Sequence, residues 1–431
     1  MKVLLVAERY WPEVGAAPSR LANMAEGLKG KGCEVDVLTS LPNYPKGVIF
    51  NGYRNRITKT EVHGGVNVFR YWIFATVSRN PIARIANMFS FAVMIWLFAL
   101  KRNRVKSYDV VIIQTPTLVV AASAMMLFKS IYCKKCIINV SDIWPLTAAD
   151  MGVIQMNSRS FRFMQKCEHY LYKKCDGVLG QSEEILNHVA QEMILLGCWN
   201  ETDDSFKSNN IDDIRDSDML LCSQLWSQNS HLFLYRNLQT YDLRNKSKKK
   251  GKAFKVVFCG MLGVAQDVAS IVRSVPFKQL GVEFHILGGG KQLSEIEQWC
   301  KQHPQSNVVT HGFVPKEEIS NQLSLYDASI VPLATRIRGA VPSKIYDLLP
   351  QGLPIIFCGG GEGANFIEKN KVGLISTPGD YRALTNNIIF LRDLSVNEYS
   401  DLSNRCVQVS RDQLNFDKQL NGLMTWLLSI C

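Results

Sequence analysis

The sequence predicts an α/β protein of two domains, each built on a parallel sheet with helices on both faces. Three observations lead to this fold class. The chain has 431 residues, more than one ordinary hydrophobic core holds. Short apolar runs typical of buried strands alternate with helical patterns in two separate regions. A polar, irregular stretch separates these regions, so the two halves are predicted to fold separately.

The first region opens with a strand pattern over Lys2 to Glu8, a helical pattern over Pro18 to Lys31 and a second strand over Glu34 to Thr39. This order is a βαβ unit. Further strands are predicted at 109–114, 136–140 and 177–180. We therefore expect one domain over residues 1–195, followed by an irregular linker over 196–252 that contains a lysine run.

The strand pattern restarts after the linker. Strands are predicted at 254–260, 284–288, 308–312, 328–332 and 354–358, with a short helix at 344–349. We expect a second domain over 253–410 and an amphipathic helix within 411–431. Parallel sheets bind ligands beyond the carboxyl ends of their strands, so the loops that follow strands are the candidate sites.

Charge and cysteine usage narrow the class of partner. The net charge of +11 favours anions, which include nucleic acid, anionic lipid and phosphorylated substrates. Nucleic acid is the weakest of these, because RNA-binding aromatic motifs and zinc-finger spacing are missing. Several of the 12 cysteines, such as Cys259 and Cys358, lie in apolar strands, which indicates reduced thiols in a cytoplasmic protein. Cys133 and Cys136 form an isolated CxxC, which does not predict a zinc site.

The segment Ile85 to Leu100 is the most apolar part of the chain. It has 16 residues and is followed by Lys101, Arg102, Arg104 and Lys106. A bilayer crossing needs about 20 apolar residues, so this segment is not predicted to span. A core helix of the first domain is the favoured interpretation, and a helix lying in a membrane interface is the alternative.

In the first domain, two loops after strands carry candidate substrate-binding residues. Gly15 and Ala16 let the backbone approach a ligand closely, and the helix start that leads to Arg20 offers amides to an anion. Asp142 and Trp144 come directly after another buried strand. The alternatives are an ordinary strand-to-helix turn at Gly15 and a helix-capping role for Asp142.

In the second domain, glycines follow successive strands. Gly260 and Gly263 follow the first of these strands, Gly288 follows the next, and Gln266 lies in the first loop. Any one glycine is explained by a turn, but their recurrence favours a nucleotide site. A further glycine-rich segment, expected to be a flexible turn that faces a sugar, contains Gly361, Glu362 and Gly363.

The helix after Pro342 is the most informative segment. Ser343 makes a helix start whose amides can bind a diphosphate, and Lys344 adds a positive charge. Asp347 lies one turn on, where its carboxylate can accept hydrogen bonds from a ribose. Lys344 and Asp347, together with Asp142 of the first domain, are the candidate catalytic residues. The alternative is a surface helix with a Lys344–Asp347 ion pair. Asp216 and Asp218 have the spacing of a metal-binding DxD motif, but their polar surroundings favour a solvated charge cluster, so no metal is predicted.

With these residues laid out, the chain resembles the retaining GT-B glycosyltransferases of family four, and within them the bacterial branch, including L-fucosamine transferases, that builds capsule and O-antigen repeats. The likeness covers nearly the whole chain. The motifs that carry it are the Tyr10 to Arg20 loop, LPNYPKG at 41–47, Gly52-Tyr53-Arg54, DIWP at 142–145, Pro342-Ser343-Lys344 and the loop around Glu362.

The resemblance implies two Rossmann-like domains facing across a cleft, with the last helix crossing back to the first domain. It implies acceptor binding by the first domain and nucleotide-sugar binding by the second. It places Val314 near the base, Lys344 near the diphosphate, Asp347 at the ribose, and Asp142 with the Gly361 to Gly363 loop near the transferred sugar. Many relatives carry a second carboxylate eight residues before Asp347, where this chain has Gly339.

From the resemblance we expect transfer with retention, without a metal or other cofactor, from a UDP-sugar (or GDP-sugar) to a polyprenyl-diphosphate-linked glycan. The expected sugar is of the N-acetyl-fucosamine type. The expected location is the cytoplasm, peripheral at the inner face of the cell membrane, with contact to anionic lipid and none to nucleic acid. A nucleotide-sugar epimerase on the same fold and a non-catalytic sugar-nucleotide-binding subunit remain as alternatives.

Overall fold

The computed structural model describes residues 1–78, 80–100, 105–198, 230–246 and 253–431. The chain forms two compact units. Unit one contains Met1–Asn237 together with Asp417–Cys431, and unit two contains Leu238–Phe416. Asp216, Asp218, the basic residues 101, 102 and 104 and most of the lysine run lie outside the described residues.

Unit one is built on a mostly parallel sheet. Its described strands are β1 (Lys2–Ala7), β2 (Glu34–Ser40), β3 (Thr58–His63), β4 (Val66–Tyr71), β5 (Val110–Gln114), β6 (Lys135–Val140), β7 (Gly177–Gly180) and β8 (Leu232–Leu234). Their spatial order is β3-β4-β2-β1-β5-β6-β7-β8, and β3 runs antiparallel to β4. The central strands β1, β5 and β6 are almost wholly buried, which explains their continuous apolar runs.

Helices cover this sheet. Those that the structure describes before residue 198 are α1 (Ala16–Gly30), α2 (Pro81–Ala99), α3 (Leu118–Met125), which continues as a π-helical turn, α4 (Leu146–Asp150), α5 (Arg159–Lys174) and α6 (Glu183–Leu195). Serine caps begin two of them. The hydroxyl of Ser158 accepts from the Phe161 amide at 3.2 Å and that of Ser182 from the Ile185 amide at 3.1 Å. Each cap satisfies one amide that a helix start leaves without a partner.

Two parts of unit one differ from the sequence-based expectation. The β3–β4 hairpin was not predicted, since β3 is an edge strand with partly exposed, polar residues and no apolar run. Strand β8 lies inside the region 196–252, which was expected to be an irregular linker, and it pairs with β7. Its three residues are too few to give a periodic signal.

Helix α2 has one buried face and one exposed face. Phe91, Ile95 and Phe98 are fully buried in the core of unit one. The exposed side, which we name the α2 outer face, consists of Ile82, Ile85, Phe89, Val93, Trp96 and Leu97. The buried face agrees with the core-helix interpretation, and the membrane-interface alternative stays a prediction. Within the described residues, Ile82–Ala99 is the one helix long and apolar enough to cross a membrane, with a mean hydropathy of 1.7 and 28% of it buried.

The sheet of unit two is entirely parallel over its described strands. They are β9 (Phe254–Cys259), β10 (Val282–Leu287), β11 (Val308–Gly312), β12 (Ala328–Pro332), β13 (Ile355–Cys358) and β14 (Gly373–Ser376). The spatial order is β11-β10-β9-β12-β13-β14. This is the doubly wound Rossmann order. Successive strands are added on one side of β9 as far as β11, and from β12 onward they are added on its other side. The fold class predicted from the sequence is confirmed in both units.

The described helices of unit two are α7 (Val268–Ser274), α8 (Leu293–Gln302), α9 (Lys316–Leu323), α10 (Lys344–Leu348), α11 (Glu362–Asn370), α12 (Tyr381–Asp393) and α13 (Val396–Gln413). Helix α11 corrects one expectation. The glycine-rich segment expected to be a flexible turn begins a helix at Glu362, because Gly361 adopts φ 71° and supplies the residue before the first turn.

The last helix, α14 (Phe416–Ile430), packs on unit one. The Trp426 indole donates to the carbonyl of Ser230 at 2.8 Å and lies 5.5 Å from the ring of Phe233. On β7, a Cβ at Gly177 would come within 2.9 Å of Trp426 and Ile430. The end of the chain therefore covers the β7–β8 side of the first sheet.

The loops after β9 and β10 touch through their backbones. The Gly260 amide donates to the carbonyl of Leu287 at 2.9 Å. A Cβ at Gly288 would overlap the carbonyl of Gly260, and one at Gly290 would overlap the carbonyl of Leu262. These two positions therefore require glycine for a close approach, and not only for a turn.

We expect Gly288→Ala to lower the free energy of unfolding by about 2 to 3 kcal/mol, because a methyl group there forces the two loops apart. Urea unfolding measures this change. Gly289→Ala is the matched control, since a Cβ at Gly289 meets nothing within 4 Å. Equal stability of the two variants would contradict the close approach.

Candidate functional site

At the carboxyl edge of the first sheet, Arg20 ties three segments together. Its side chain comes from α1 and is 2% exposed. The guanidinium donates to the hydroxyl of Ser141 after β6 and to the amide oxygen of Gln181 after β7. The Gln181 amide in turn donates to the carbonyl of Ser141. Burial lowers the pKa of Arg20 to about 10, although the nearby Asp142 carboxylate acts in the opposite direction.

Asp142 is the acid of this edge. Burial raises the pKa of its carboxyl group, and the positive charge of Arg20 offsets part of that effect. The Trp144 amide donates to the Asp142 carbonyl at 2.9 Å, and the indole packs partly buried against the core. The residue before α4 is Pro145, so Asp142 does not cap that helix.

The start of α1 lies at the same edge. Gly15 immediately precedes the helix, and its carbonyl accepts from the Ser19 amide at 3.1 Å. Ala16 is exposed at the first position of the helix. The structure thus places Gly15, Ala16, Arg20 and Asp142 where the sequence predicted them, around the ends of strands β1 and β6.

Two acids at this edge were not predicted. The Glu13 carboxylate is buried and accepts from the amides of Asn43 and Tyr44, both at 2.8 Å, which joins the loops after β1 and β2. Burial raises the pKa of Glu13, and these amides lower it in part. Burial also raises the pKa of Glu8, against the charge of Arg9. Glu8 directly follows the buried strand β1, and Glu13 lies in the loop after that strand, which was the signal in the sequence.

In unit two, Lys344 and Asp347 lie side by side on α10. The Lys344 ammonium is 3.5 Å from Oδ2 of Asp347. The Lys344 side chain also passes Gly260, where a Cβ would be 3.3 Å from its Cε. Ser343 precedes the helix without a capping bond from its hydroxyl, while its carbonyl accepts from the Asp347 amide at 3.1 Å. The ion pair that the sequence left as an alternative is therefore present at the end of β9.

The predicted glycines gather at the ends of β9 and β10. The Gly288 amide donates to the carbonyl of Gly312 at 2.7 Å, which connects this edge to β11. The Gln266 amide donates to the carbonyl of Gly263 at 3.1 Å and closes the loop after β9. With Lys344 beside Gly260, most of the predicted nucleotide-binding residues share one edge of the sheet.

The remaining predicted residues of unit two border α10 and β11. Gly363 lies against Ile345 of α10, since a Cβ at Gly363 would be 3.3 Å from its Cδ1. Glu362 therefore stands in a helical turn next to the Lys344 helix. Val314 is partly buried against the core, whereas the preceding Phe313 is 74% exposed. An exposed ring after β11 is available for stacking on a ligand.

Asp347 has two partners that the sequence did not reveal. Its Oδ1 accepts from the hydroxyl of Tyr241 at 2.7 Å and from the side-chain amide of Gln239 at 3.0 Å. These residues precede Asp347 by more than 100 positions, so no local pattern links them. Among the described residues, the structure contains no group of three or more His, Cys, Asp or Glu side chains placed to hold a metal ion.

Comparison with known families agrees with this geometry. Residues 15–194 match the family model of the glycosyl transferase 4-like domain, and residues 253–393 match that of glycosyl transferases group 1. Together the two models cover about three quarters of the chain. The chain is a glycosyltransferase of the GT-B fold. Both models describe transferases, so family membership supports sugar transfer over epimerisation.

Individual proteins similar to this glycosyltransferase are distant in sequence. A probable glycosyltransferase of Pseudomonas aeruginosa, WbjE, is 20% identical over 321 residues, covering 73% of this chain and 74% of WbjE. Sucrose-phosphate synthase of Thermosynechococcus elongatus superposes with a TM-score of 0.68 at 12% identity, covering 100% and 98% of the two chains. HepE of Anabaena, solved with UDP and glucose, superposes with a TM-score of 0.64 at 14% identity over the full length of both.

The burial of Asp142 predicts a pH dependence of the glycosyltransferase's stability. Because the folded state raises the pKa of this carboxyl above its ordinary 3.8, the folded state holds the proton more tightly than the unfolded state. The contribution of Asp142 to stability is therefore present below pH 3.8 and is lost as the pH rises through the raised pKa.

We expect the free energy of unfolding of Asp142→Asn, relative to that of wild type, to increase as the pH rises from about 4 to about 7. The reason is that wild type must ionise a buried carboxyl over this range, whereas the amide of the variant stays neutral. Urea titrations at several pH values measure the difference. An Asp150→Asn variant on α4 controls for the loss of one charge. A relative stability of Asp142→Asn that falls with rising pH would contradict the raised pKa.

Proposed function

We propose that this glycosyltransferase moves a sugar, with retention, from a nucleotide diphosphate sugar to a lipid-linked sugar acceptor in the synthesis of a surface polysaccharide such as capsule or O-antigen. UDP-sugars are the favoured donors over GDP-sugars, with an N-acetyl-fucosamine-type sugar as the specific candidate. The observation that carries the proposal is the Lys344–Asp347 pair at the reversal point of the second sheet, beside the closely packed glycine loops.

In the proposed donor site, each group has a distinct task. The Lys344 ammonium neutralises the diphosphate, and the Asp347 carboxylate accepts hydrogen bonds from the ribose. The small residues Gly260 and Gly288 let the backbone come close to the phosphates. The amides at the start of α11, around Gly361, face the transferred sugar. The complex of HepE with UDP and glucose supports this class of donor.

The proposed chemistry breaks the bond between the anomeric carbon and the diphosphate oxygen and forms a glycosidic bond on the same face of the sugar. Negative charge develops on the leaving diphosphate, which takes up the proton that the acceptor hydroxyl releases. Lys344 and helix amides stabilise this charge electrostatically, without a dedicated general acid. We propose that no metal or other cofactor takes part. The acceptor hydroxyl is bound by unit one, where Gly15, Arg20, Asp142 and Trp144 line the carboxyl edge.

The donor assignment predicts that UDP-sugars raise the melting temperature of the wild-type protein, because a ligand that binds the folded state stabilises it by mass action. We expect Lys344→Met to weaken UDP binding by about ten- to hundredfold, as expected for a lost charged contact. Isothermal titration calorimetry measures the change. Lys301→Met, at an exposed site on α8, is the control.

Transfer itself is measured with membranes that contain lipid-linked glycan. Radiolabel from the sugar nucleotide should reach a lipid-extractable product, and Asp347→Ala should reduce this signal strongly. Interconversion of sugar nucleotides without any acceptor would contradict transfer. Undiminished polysaccharide assembly by the Lys344 and Asp347 variants would contradict the donor site.

We propose that the protein works peripherally at the cytoplasmic face of the membrane, in contact with anionic lipid. The α2 outer face supports this proposal. It is an exposed apolar stripe on a helix whose other side is part of the core. A helix that supplies Phe91, Ile95 and Phe98 to the core cannot also cross a bilayer without losing them. Lying in the interface is the arrangement that keeps the core and covers the stripe.

We expect the Phe89→Ser, Val93→Ser double variant to bind phosphatidylglycerol-containing vesicles about tenfold or more weakly than wild type, because two exposed apolar side chains lose their burial in lipid. Vesicle flotation measures the partition. Phe390→Ser, at an exposed phenylalanine of unit two, is the matched control. Failure of the wild-type protein to bind such vesicles, or an equal loss in the control, would contradict the membrane contact.

A further inference from the structure

The carboxylate of Asp347 is held unequally at its two oxygens. Oδ1 accepts from the Tyr241 hydroxyl at 2.7 Å and from the Gln239 amide at 3.0 Å. The Gln239 amide also donates to the Tyr241 hydroxyl, so the three side chains form a closed triangle. Oδ2 faces the Lys344 ammonium at the longer distance of 3.5 Å.

The segment that carries Tyr241 and Gln239 is fixed to unit two. Leu238 is buried in the core beneath α10. The Arg244 amide donates to the carbonyl of Pro350 at 2.8 Å, and the Lys246 ammonium donates to the carbonyls of Leu323 and Tyr326, both at 2.5 Å. We name residues 238–246 the strap. Because both its ends are anchored, the strap holds the Tyr241 hydroxyl at a defined place.

The Asp347 carboxylate has acceptor sites that the protein does not fill. Each oxygen of an ionised carboxylate accepts about two hydrogen bonds. The two donors from the strap fill Oδ1. Oδ2 keeps capacity for a donor from a ligand, next to the positive charge of Lys344. The carboxylate is thus oriented before any ligand binds, with one oxygen occupied by the protein and the other presented beside the ammonium.

We propose that Tyr241, assisted by Gln239, is a positioning residue that presents Oδ2 of Asp347 to the hydroxyl groups of the nucleotide ribose. This inference rests on the proposed role of Asp347 at the ribose. Tyr241 is not a catalytic residue, because it acts on the ligand only through the carboxylate. The predicted consequence is selective: the strap contributes to recognition of the ribose hydroxyls and not to the general affinity for phosphates.

The chemistry of Tyr241 suits this task. Burial and the adjacent Asp347 carboxylate both raise the pKa of its hydroxyl, so the group stays protonated and donates across the working pH range. Removing the hydroxyl leaves Oδ1 with Gln239 alone and frees the carboxylate to turn about its side-chain bonds. A carboxylate that is less firmly oriented binds the same ribose with a larger loss of conformational freedom.

The test compares UDP with 2′-deoxy-UDP and 3′-deoxy-UDP, using the full-length protein and calorimetry. In wild type we expect UDP to bind about tenfold more tightly than the poorer deoxy analogue, the usual worth of one hydrogen bond to a charged group. In Tyr241→Phe this preference should fall to about threefold or less, while the affinity for that deoxy analogue changes by less than about twofold. If GDP-sugars and not UDP-sugars raise the melting temperature, the same test is made with GDP, 2′-deoxy-GDP and 3′-deoxy-GDP.

Tyr399→Phe is the matched control. This tyrosine is also buried in unit two, and its hydroxyl donates to the carbonyl of Asp327 at 2.7 Å, away from Asp347. Its loss should leave the preference for UDP over the deoxy analogue as in wild type. A merely structural role for Tyr241 would weaken all nucleotides by the same factor, and that result would overturn the inference. Tighter binding of UDP by Tyr241→Phe would overturn it too, since Tyr241 would then compete with the ribose.

An Asp347→Asn variant separates this inference from the proposed function. If Asp347→Asn keeps the full preference for the ribose hydroxyls, the assignment of Asp347 to the ribose fails. If Asp347→Asn loses the preference and Tyr241→Phe keeps it, the donor site stands and the positioning role fails. In the double variant, Tyr241→Phe should add no further loss of preference, because its effect passes through the carboxylate.

Discussion

Helices cover both faces of a parallel sheet, so ligands can reach the sheet mainly at the ends of its strands. This constraint applies to both units of the glycosyltransferase. The strands β1, β5 and β9 are almost wholly buried, so they contribute apolar side chains and backbone hydrogen bonds. The acids and cations of the candidate site therefore lie beyond the strand ends, while some charged side chains, such as Arg70 of β4, are buried within the sheet in ion pairs. The loops and helix starts that follow the strands then carry the candidate acids, cations and glycines of both units.

The two units fix these loops by different means. In unit one, buried charged side chains hold the loops through hydrogen bonds. Arg20 donates to the loops after β6 and β7, and Glu13 accepts from a backbone amide in the loop after β2. A buried charge is tolerated only when hydrogen bonds satisfy it, so these contacts hold the edge in one arrangement. In unit two the fixing element is steric: the backbones of Gly260 and Gly288 are in contact, which a side chain would prevent. The spacing of these two loops is therefore set by backbone contact, with the Lys344 side chain beside them.

The sequence predicted elements that have a strong local pattern, and it missed weakly patterned strands and contacts between residues far apart in the chain. Continuous apolar runs predicted the buried strands, and Asp142 was singled out because it directly follows one of them. Lys344 was singled out by the helix start after Pro342. The hairpin strand β3 and the three-residue β8 were missed because an exposed or very short strand has no strong pattern. Gln181 and Tyr241 were missed for another reason. Their importance lies in partners more than 100 residues away, and one sequence holds no record of that pairing.

In the proposed donor site, Gly339 stands where the resemblance implies a carboxylate. The resemblance implies that many relatives carry two glutamates eight residues apart, whereas this chain has Gly339 and Asp347 at those positions. A single short acid reaches less far and offers fewer acceptor sites, so its orientation matters more. Tyr241 and Gln239 occupy the two acceptor sites of Oδ1. They thereby orient Oδ2, whose acceptor sites stay available to a ligand. In the proposed donor site, this arrangement suits a ribose contact that depends more on the placement of one oxygen than on the number of acceptors.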